Sequence, residues 1–200
     1  MTSQLRQHPR HPRPRTRALS GALLLTLAAI VLGATAPTAP ALPAGAVDVR
    51  IAAGPDDVEE SKEGWLLLDS SDLEMVEDKG RQTIGLRFPD IRVPAGARLL
   101  SAWVQFTVDE ESKGRSTLQI RAVAEGNAAA FSGSRGVTQR PVTRASVAWS
   151  PPEWKVVGVT DAAQRTPDLA AILQEVVARA DWSPGNAVAL VVSGSGKRIA

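Results

Sequence analysis

Short runs of strict apolar–polar alternation dominate the second half of this chain, and they constrain its fold more than any other feature. From Leu100 to Val108, Leu100, Ala102, Val104, Phe106 and Val108 share one face, while Ser101, Trp103, Gln105 and Thr107 share the other. A period of two is the signature of a strand with one buried face. Gln82 to Phe88 repeats it, with Ile84, Leu86 and Phe88 on the apolar side and Pro89 closing the run. Val47–Ile51 alternates, Gly64–Asp69 is a short continuous apolar run, and Leu118, Ile120, Ala122 and Ala124 alternate again. Asp109–Gly114 reads as a charged hairpin loop joining the strand at 100–108 to that at 118–124. Val147–Trp149 and Trp154–Val159 read as edge segments around Pro151-Pro152, and Ala187–Val192 as a buried strand. Gly126 to Arg144 is a long Ser/Gly/Asn/Arg-rich connection.

One helix interrupts this pattern. Leu169, Ile172, Leu173, Val176 and Val177 fall on one stripe, with Thr166 placed as hydroxyl cap, Pro167 at the first helical position and Asp168 at the positive end of the dipole. Many short strands, regular turns and one helix predict a mainly β fold: a β-sandwich with one short helix packed across an end.

The first 46 residues read differently. Five arginines and no acid precede Gly21–Ala34, an apolar run too short for a membrane span of about 20 residues. Small-x-small sites follow at Ala34-Thr35-Ala36, Ala39-Pro40-Ala41 and Ala44-Gly45-Ala46. This is the order of a secretion signal, with cleavage predicted near Ala41 or Ala46; a retained single-pass anchor is the alternative. No paired arginine precedes the apolar run, which disfavours a twin-arginine route. The expected organisation is a leader over 1–46 and a sandwich over 47–200, exported and without a stable membrane span once trimmed.

Removing the leader changes the electrostatics. Five of the 23 basic residues are leader arginines and none of the 21 acids is, leaving 18 against 21. The basic footprint of a nucleic-acid binder is absent. Both histidines, His8 and His11, also leave with the leader, and the chain has no cysteine or tyrosine. Residues 47–200 therefore lack imidazole, thiol and phenol, which removes Ser-His and Cys-His nucleophile pairs and His- or Cys-ligated zinc. Absence of cysteine also rules out disulfide staples, and about 150 residues bury enough surface for one unaided core.

Several stretches together resemble the secreted bacterial jelly-roll modules of the DNRLRE type, which are similar in architecture to carbohydrate-binding modules. They are Gly54–Glu60, Ser70–Glu74, Gln82–Phe88, Ala102-Trp103-Val104-Gln105-Phe106-Thr107-Val108, Ser146–Pro151, Gln164–Leu169 and Gly194–Arg198. The resemblance covers nearly all of 47–200 and implies fold more than function, because such modules accompany many extracellular enzymes and surface proteins. Modules that look like this usually continue past the Lys-Arg segment with a final apolar strand, so the expectation is a piece of a larger protein, lacking its last strand.

The candidate sites follow from composition and resemblance. Asp56, Asp57, Glu59 and Glu60 crowd one turn, and Asp69, Asp72 and Glu74 bracket another; Asp56, Asp57, Glu59, Asp72 and Glu74 are the candidate metal ligands among them. Without histidine or cysteine, calcium with 6–8 oxygen ligands is the metal such acids suit, and the resemblance implies calcium between loops; solvated acidic turns are the plainer reading. Trp103, Trp149 and Trp154 are candidate stacking platforms for sugar rings, against burial in the core. Asp109, Glu110 and Glu111 sit at a loop tip with no partner across a cleft, which argues against a glycosidase pair. Gly194-Ser195-Gly196-Lys197 lacks Walker spacing. The expectation is a secreted, non-catalytic binding or accessory module, partnered by a polysaccharide or cell-envelope glycan and by a downstream catalytic domain. A purely structural spacer of a secreted hydrolase or phosphoesterase is the alternative.

Overall fold

The computed structural model describes residues 24–27, 45–52 and 54–200. Its strands in chain order are β1 (Leu24–Leu27), β2 (Val47–Arg50), β3 (Asp57–Ser61), β4 (Leu66–Leu67), β5 (Glu74–Met75) and β6 (Gln82–Ile91). They continue as β7 (Ala102–Gln105), β8 (Thr117–Ala122), β9 (Val147–Trp149), β10 (Asn186–Ser195) and β11 (Arg198–Ile199), with helix α1 (Ala170–Val177) between β9 and β10. Six strands form an antiparallel sheet in the order β4-β3-β6-β10-β8-β9, three form a second sheet in the order β2-β1-β7, and β11 pairs with β5. The described residues form a β-sandwich with one α-helix. No helix among the described residues is long and apolar enough to cross a membrane.

The alternation decides which faces meet. Ile84, Leu86 and Phe88 of β6, Leu118, Ile120 and Ala122 of β8, and Val188, Leu190 and Val192 of β10 point one way and join the main core. Ala102 and Val104 of β7, then Phe106 and Val108, close it from the other layer. The predicted apolar stripe of α1 is wholly buried there as well. Burying such side chains supplies roughly 1.5–3 kcal/mol each before chain entropy is counted.

Local readings depart from the structure in three places. First, β7 and β8 are not a hairpin: β8 pairs with β9 and β10, whereas β7 lies in the other sheet. The Asp109–Gly114 stretch therefore carries the chain from one layer to the other, and alternation in each strand is satisfied against a shared core. Second, Pro89 does not close β6, which runs to Ile91. Third, Thr166 is no helix cap. Its hydroxyl accepts from the backbone N–H of Val104 at 3.0 Å, and α1 starts four residues later without a side-chain cap. Asp168 Oδ1 accepts from both Ala170 N and Ala102 N at 2.9 Å, tying the helix start to β7. Most of the expected leader lies outside the described residues; within it, Leu24–Leu27 pairs as β1 between β2 and β7.

Candidate functional site

The outward face of the six-stranded sheet carries residues of opposite parity to the core: Thr83, Gly85 and Arg87 on β6, Ala189, Val191 and Ser193 on β10, Gln119 and Arg121 on β8. One end of this face is covered. Val58, Val123, Ala128, Phe131, Val137 and Ala189 form a second, smaller core beneath the 126–144 connection. Gly85 is what lets Phe131 lie there: a Cβ at this position would stand 2.7 Å from the ring. The sequence marks Gly85 only as a polar-side residue of an alternating strand, so the close approach is visible only in three dimensions.

Polar side chains hold the connection in place. Arg87 donates to the Ala128 carbonyl at 2.8 Å and to Asp56 at 2.6 Å. Glu60, buried at 1 % exposure, accepts from the Val137 and Thr138 amides at 2.7 and 3.1 Å and from the Thr138 hydroxyl. Arg140 stacks over Phe131, 4.9 Å from the ring centroid, and donates to the Gly136 and Ala130 carbonyls.

The other end of the face stays open as a groove of about 290 Å3. Thr83, Gln119, Arg121 and Ser193 supply polar groups along the strands, with Val191 among them, and Val137, Thr138, Arg140 and Val142 of the connection complete the lining. Arg121 spends one N–H on the Thr143 carbonyl at 3.1 Å, and Gln119 donates to Ser146 at 3.3 Å. A guanidinium has five N–H donors, so Arg121 keeps capacity for a ligand. The groove combines polar groups and apolar patches over a floor of strands. Its volume lies at the lower edge of the ~300–1,000 Å3 typical of small-molecule clefts. No protein-family profile, curated protein or solved structure matches the chain.

Two of the three predicted tryptophan platforms, Trp149 and Trp154, are buried in the core. Trp154 is fully buried and Trp149 is 6 % exposed; both rings pack on Phe106, at centroid distances of 6.1 and 5.5 Å. Neither offers a face to a sugar, which corrects that expectation: a rigid Pro-Pro turn folds both indoles inward instead of displaying them. Trp103 is partly exposed, with the Arg165 guanidinium 4.9 Å from its ring centroid. The exposed indole is Trp65, at 73 %, beside the exposed Leu67 on β4. The apolar run Gly64–Asp69 suggests burial, but β4 is an edge strand, and only Leu66 and Leu68 turn toward the second core.

The five candidate calcium ligands also divide. Asp56 is consumed by its ion pair with Arg87. Asp57, half-buried, is pushed up to about 6, chiefly by burial and then by the adjacent Asp56, against the pull of a backbone hydrogen bond. Glu59, Asp72 and Glu74 do come together electrostatically. Burial, then the neighbouring Glu74 and Asp72 charges, push Glu59 up to about 8 although its Oε1 accepts from Glu74 N at 2.7 Å. Burial raises Glu74 too, opposed by its hydrogen bond with Glu59 and by Lys197, 3.8 Å away. Ser70 and Ser71 hydroxyls donate to Asp72. Among the described residues no group of three or more acids is arranged to hold a metal ion.

Arg198 carried no weight in the sequence beyond its Lys-Arg dipeptide. It is fully buried, and its guanidinium donates to the carbonyls of Pro152 at 2.7 Å and of Pro151 and Gly114 at 2.9 Å, and to that of Lys197. These bonds lock β11 to the turn that sets Trp149 and Trp154.

Proposed function

We propose that this chain is a secreted, non-catalytic accessory module that binds a glycan in the groove on the outer face of its six-stranded sheet, as part of a larger extracellular protein. The observation that carries the reading is the groove itself: a strand-built floor with Thr83, Gln119, Arg121 and Ser193, and a wall fixed by the buried Glu60. Glycan recognition needs several hydrogen-bonding groups held rigidly, because each bond nets only ~0.5–1.5 kcal/mol and any ordering cost is subtracted from it. The lack of imidazole, thiol and phenol beyond residue 46 supports binding over catalysis, and the leader supports export.

Affinity electrophoresis of the protein in gels cast with a panel of neutral and acidic polysaccharides tests this. Retardation by at least one polysaccharide is expected, with Arg121→Ala and Gln119→Ala each weakening it about tenfold and leaving the melting temperature within 2–3 °C, the range of a surface substitution. No retardation with any polysaccharide, or retardation indifferent to both substitutions, overturns the reading in favour of a structural spacer.

A further inference from the structure

Strand β2 and strand β7 run in the same direction, each paired antiparallel with β1 and neither with the other. The far edge of β7 is already taken. Phe106 N, Thr166 N and Leu169 N complete a ladder between Ala102–Phe106 and the 164–169 segment at 2.7–3.0 Å, joined by Ala102 N to Asp168 and Val104 N to Thr166. Strand geometry then turns the N–H and C=O of Trp103 and Gln105 toward β1, where their partners are Thr26 and Leu24. By the same alternation Leu25 and Leu27 turn theirs to Val49 and Val47. Among the described residues, every sheet bond of β2 therefore goes to residues 24–27.

Cleavage at Ala41 or Ala46, as the sequence predicts, severs this strand from the sandwich. Strands lie about 4.8 Å apart, so β2 and β7 would face each other across roughly 10 Å, too far to pair. Two unpaired edges would line one slot. Its cross-strand rows are selective: Leu25 stands between Val49 and Val104, Leu27 between Val47 and Ala102. Ala102 and Val104 are buried in the main core, and Val47 and Val49 pack against it. Leu24 and Thr26 stand in the alternate rows, with Arg50 and Gln105 and with Asp48 and Trp103.

We propose that the slot between β2 and β7 is a strand-acceptor site, which after leader removal takes an extended apolar peptide strand from a partner polypeptide. The incoming strand runs antiparallel to both walls and carries apolar residues at the two positions now held by Leu25 and Leu27. Its main chain gains a ladder on both sides, where ordinary addition at a sheet edge gains one.

The test uses the full chain, folded intact and then nicked at a protease site inserted between Thr35 and Ala41. The probe is a fluorescent peptide of residues 21–30 with added terminal lysines. The nicked protein should exchange its leader fragment for the probe and bind it at least tenfold more tightly than the intact chain, whose slot is filled. In the probe, Leu25→Asp with Leu27→Asp should weaken binding at least tenfold, and Leu24→Lys less than threefold, because the register separates the two rows. Protection of the Trp103 and Gln105 amides against hydrogen exchange should be lost when the fragment is washed out and return with the probe. Equal binding by nicked and intact chains, insensitivity to Leu25 and Leu27, or protection that never changes overturns the proposal. A nicked dimer that excludes the probe overturns it in favour of a second copy as occupant.

Discussion

Glu60 gives the sharpest test of how the groove is built. Its carboxylate, 1 % exposed, receives the Val137 and Thr138 amides at 2.7 and 3.1 Å together with the Thr138 hydroxyl. Glu60→Ala removes the acceptor and leaves two main-chain N–H groups on the wall without this partner, and the exposed Thr138 hydroxyl can turn to water. An unsatisfied buried donor costs about 1–3 kcal/mol; the Val137 amide is buried, whereas Thr138 is exposed and its amide can meet water, so the predicted loss is about 2 kcal/mol. In a domain of this size that lowers the melting temperature by roughly 4–8 °C. Glu60→Gln keeps one carbonyl oxygen but sets an amide N–H₂ against a donor, and should lose about half as much. Urea unfolding at pH 7 measures both, and hydrogen exchange at the Val137 and Thr138 amides reads the wall directly. Glycan retention should fall with wall order in both variants. If Glu60→Ala stays within 1 kcal/mol of the parent while the Val137 amide remains protected, the reasoning about the wall is wrong.

Three further outcomes are expected. Glu59 has a folded-state value raised to about 8, so the fold prefers its protonated form; its stabilising contribution is full below the ordinary carboxylate range and is lost as pH rises toward 8. Stability should therefore decline between about pH 4.5 and 8, and Glu59→Gln should flatten that decline by at least about 1 kcal/mol, measured as unfolding free energy against pH. Arg198→Ala leaves the Pro151, Pro152 and Gly114 carbonyls without their donor inside the protein, and should cost at least about 3 kcal/mol in denaturant titration. Trp154→Ala empties a fully buried site against Phe106 and should cost about 3–5 kcal/mol, whereas Trp65→Ala, 73 % exposed, should stay within about 0.5 kcal/mol in the same assay.

Legibility of the fold from sequence followed the range of the interactions. The faces of β6, β7, β8 and α1 were readable because side-chain direction is set by residue parity or by the helical repeat, both local properties. Pairing was not readable in the same way. Two alternating strands on either side of a charged loop fit a hairpin or a step between layers equally well, and only the shared core around Phe106 and Trp149 separates the two. The candidate site was less legible still. Gln119, Arg121, Thr83 and Ser193 looked like ordinary solvent-facing positions, and their convergence depends on β6, β8 and β10 being neighbours. The tryptophans misled for the related reason that an indole serves core and surface alike, so residue type did not separate Trp154 from Trp65.

By itself the sequence determined that residues 47–200 make a mainly β structure with one helix, and that they do so without imidazole, thiol or phenol. Those properties are composition and short-range periodicity, and they hold wherever the segments land. Tertiary structure alone decided that the 126–144 connection covers one end of a sheet face and leaves a groove at the other, and that residues 24–27 pair between β2 and β7. Both outcomes rest on contacts between segments far apart in the chain. Such contacts form where volumes and unpaired main-chain groups happen to match, a condition that no single stretch of residues contains.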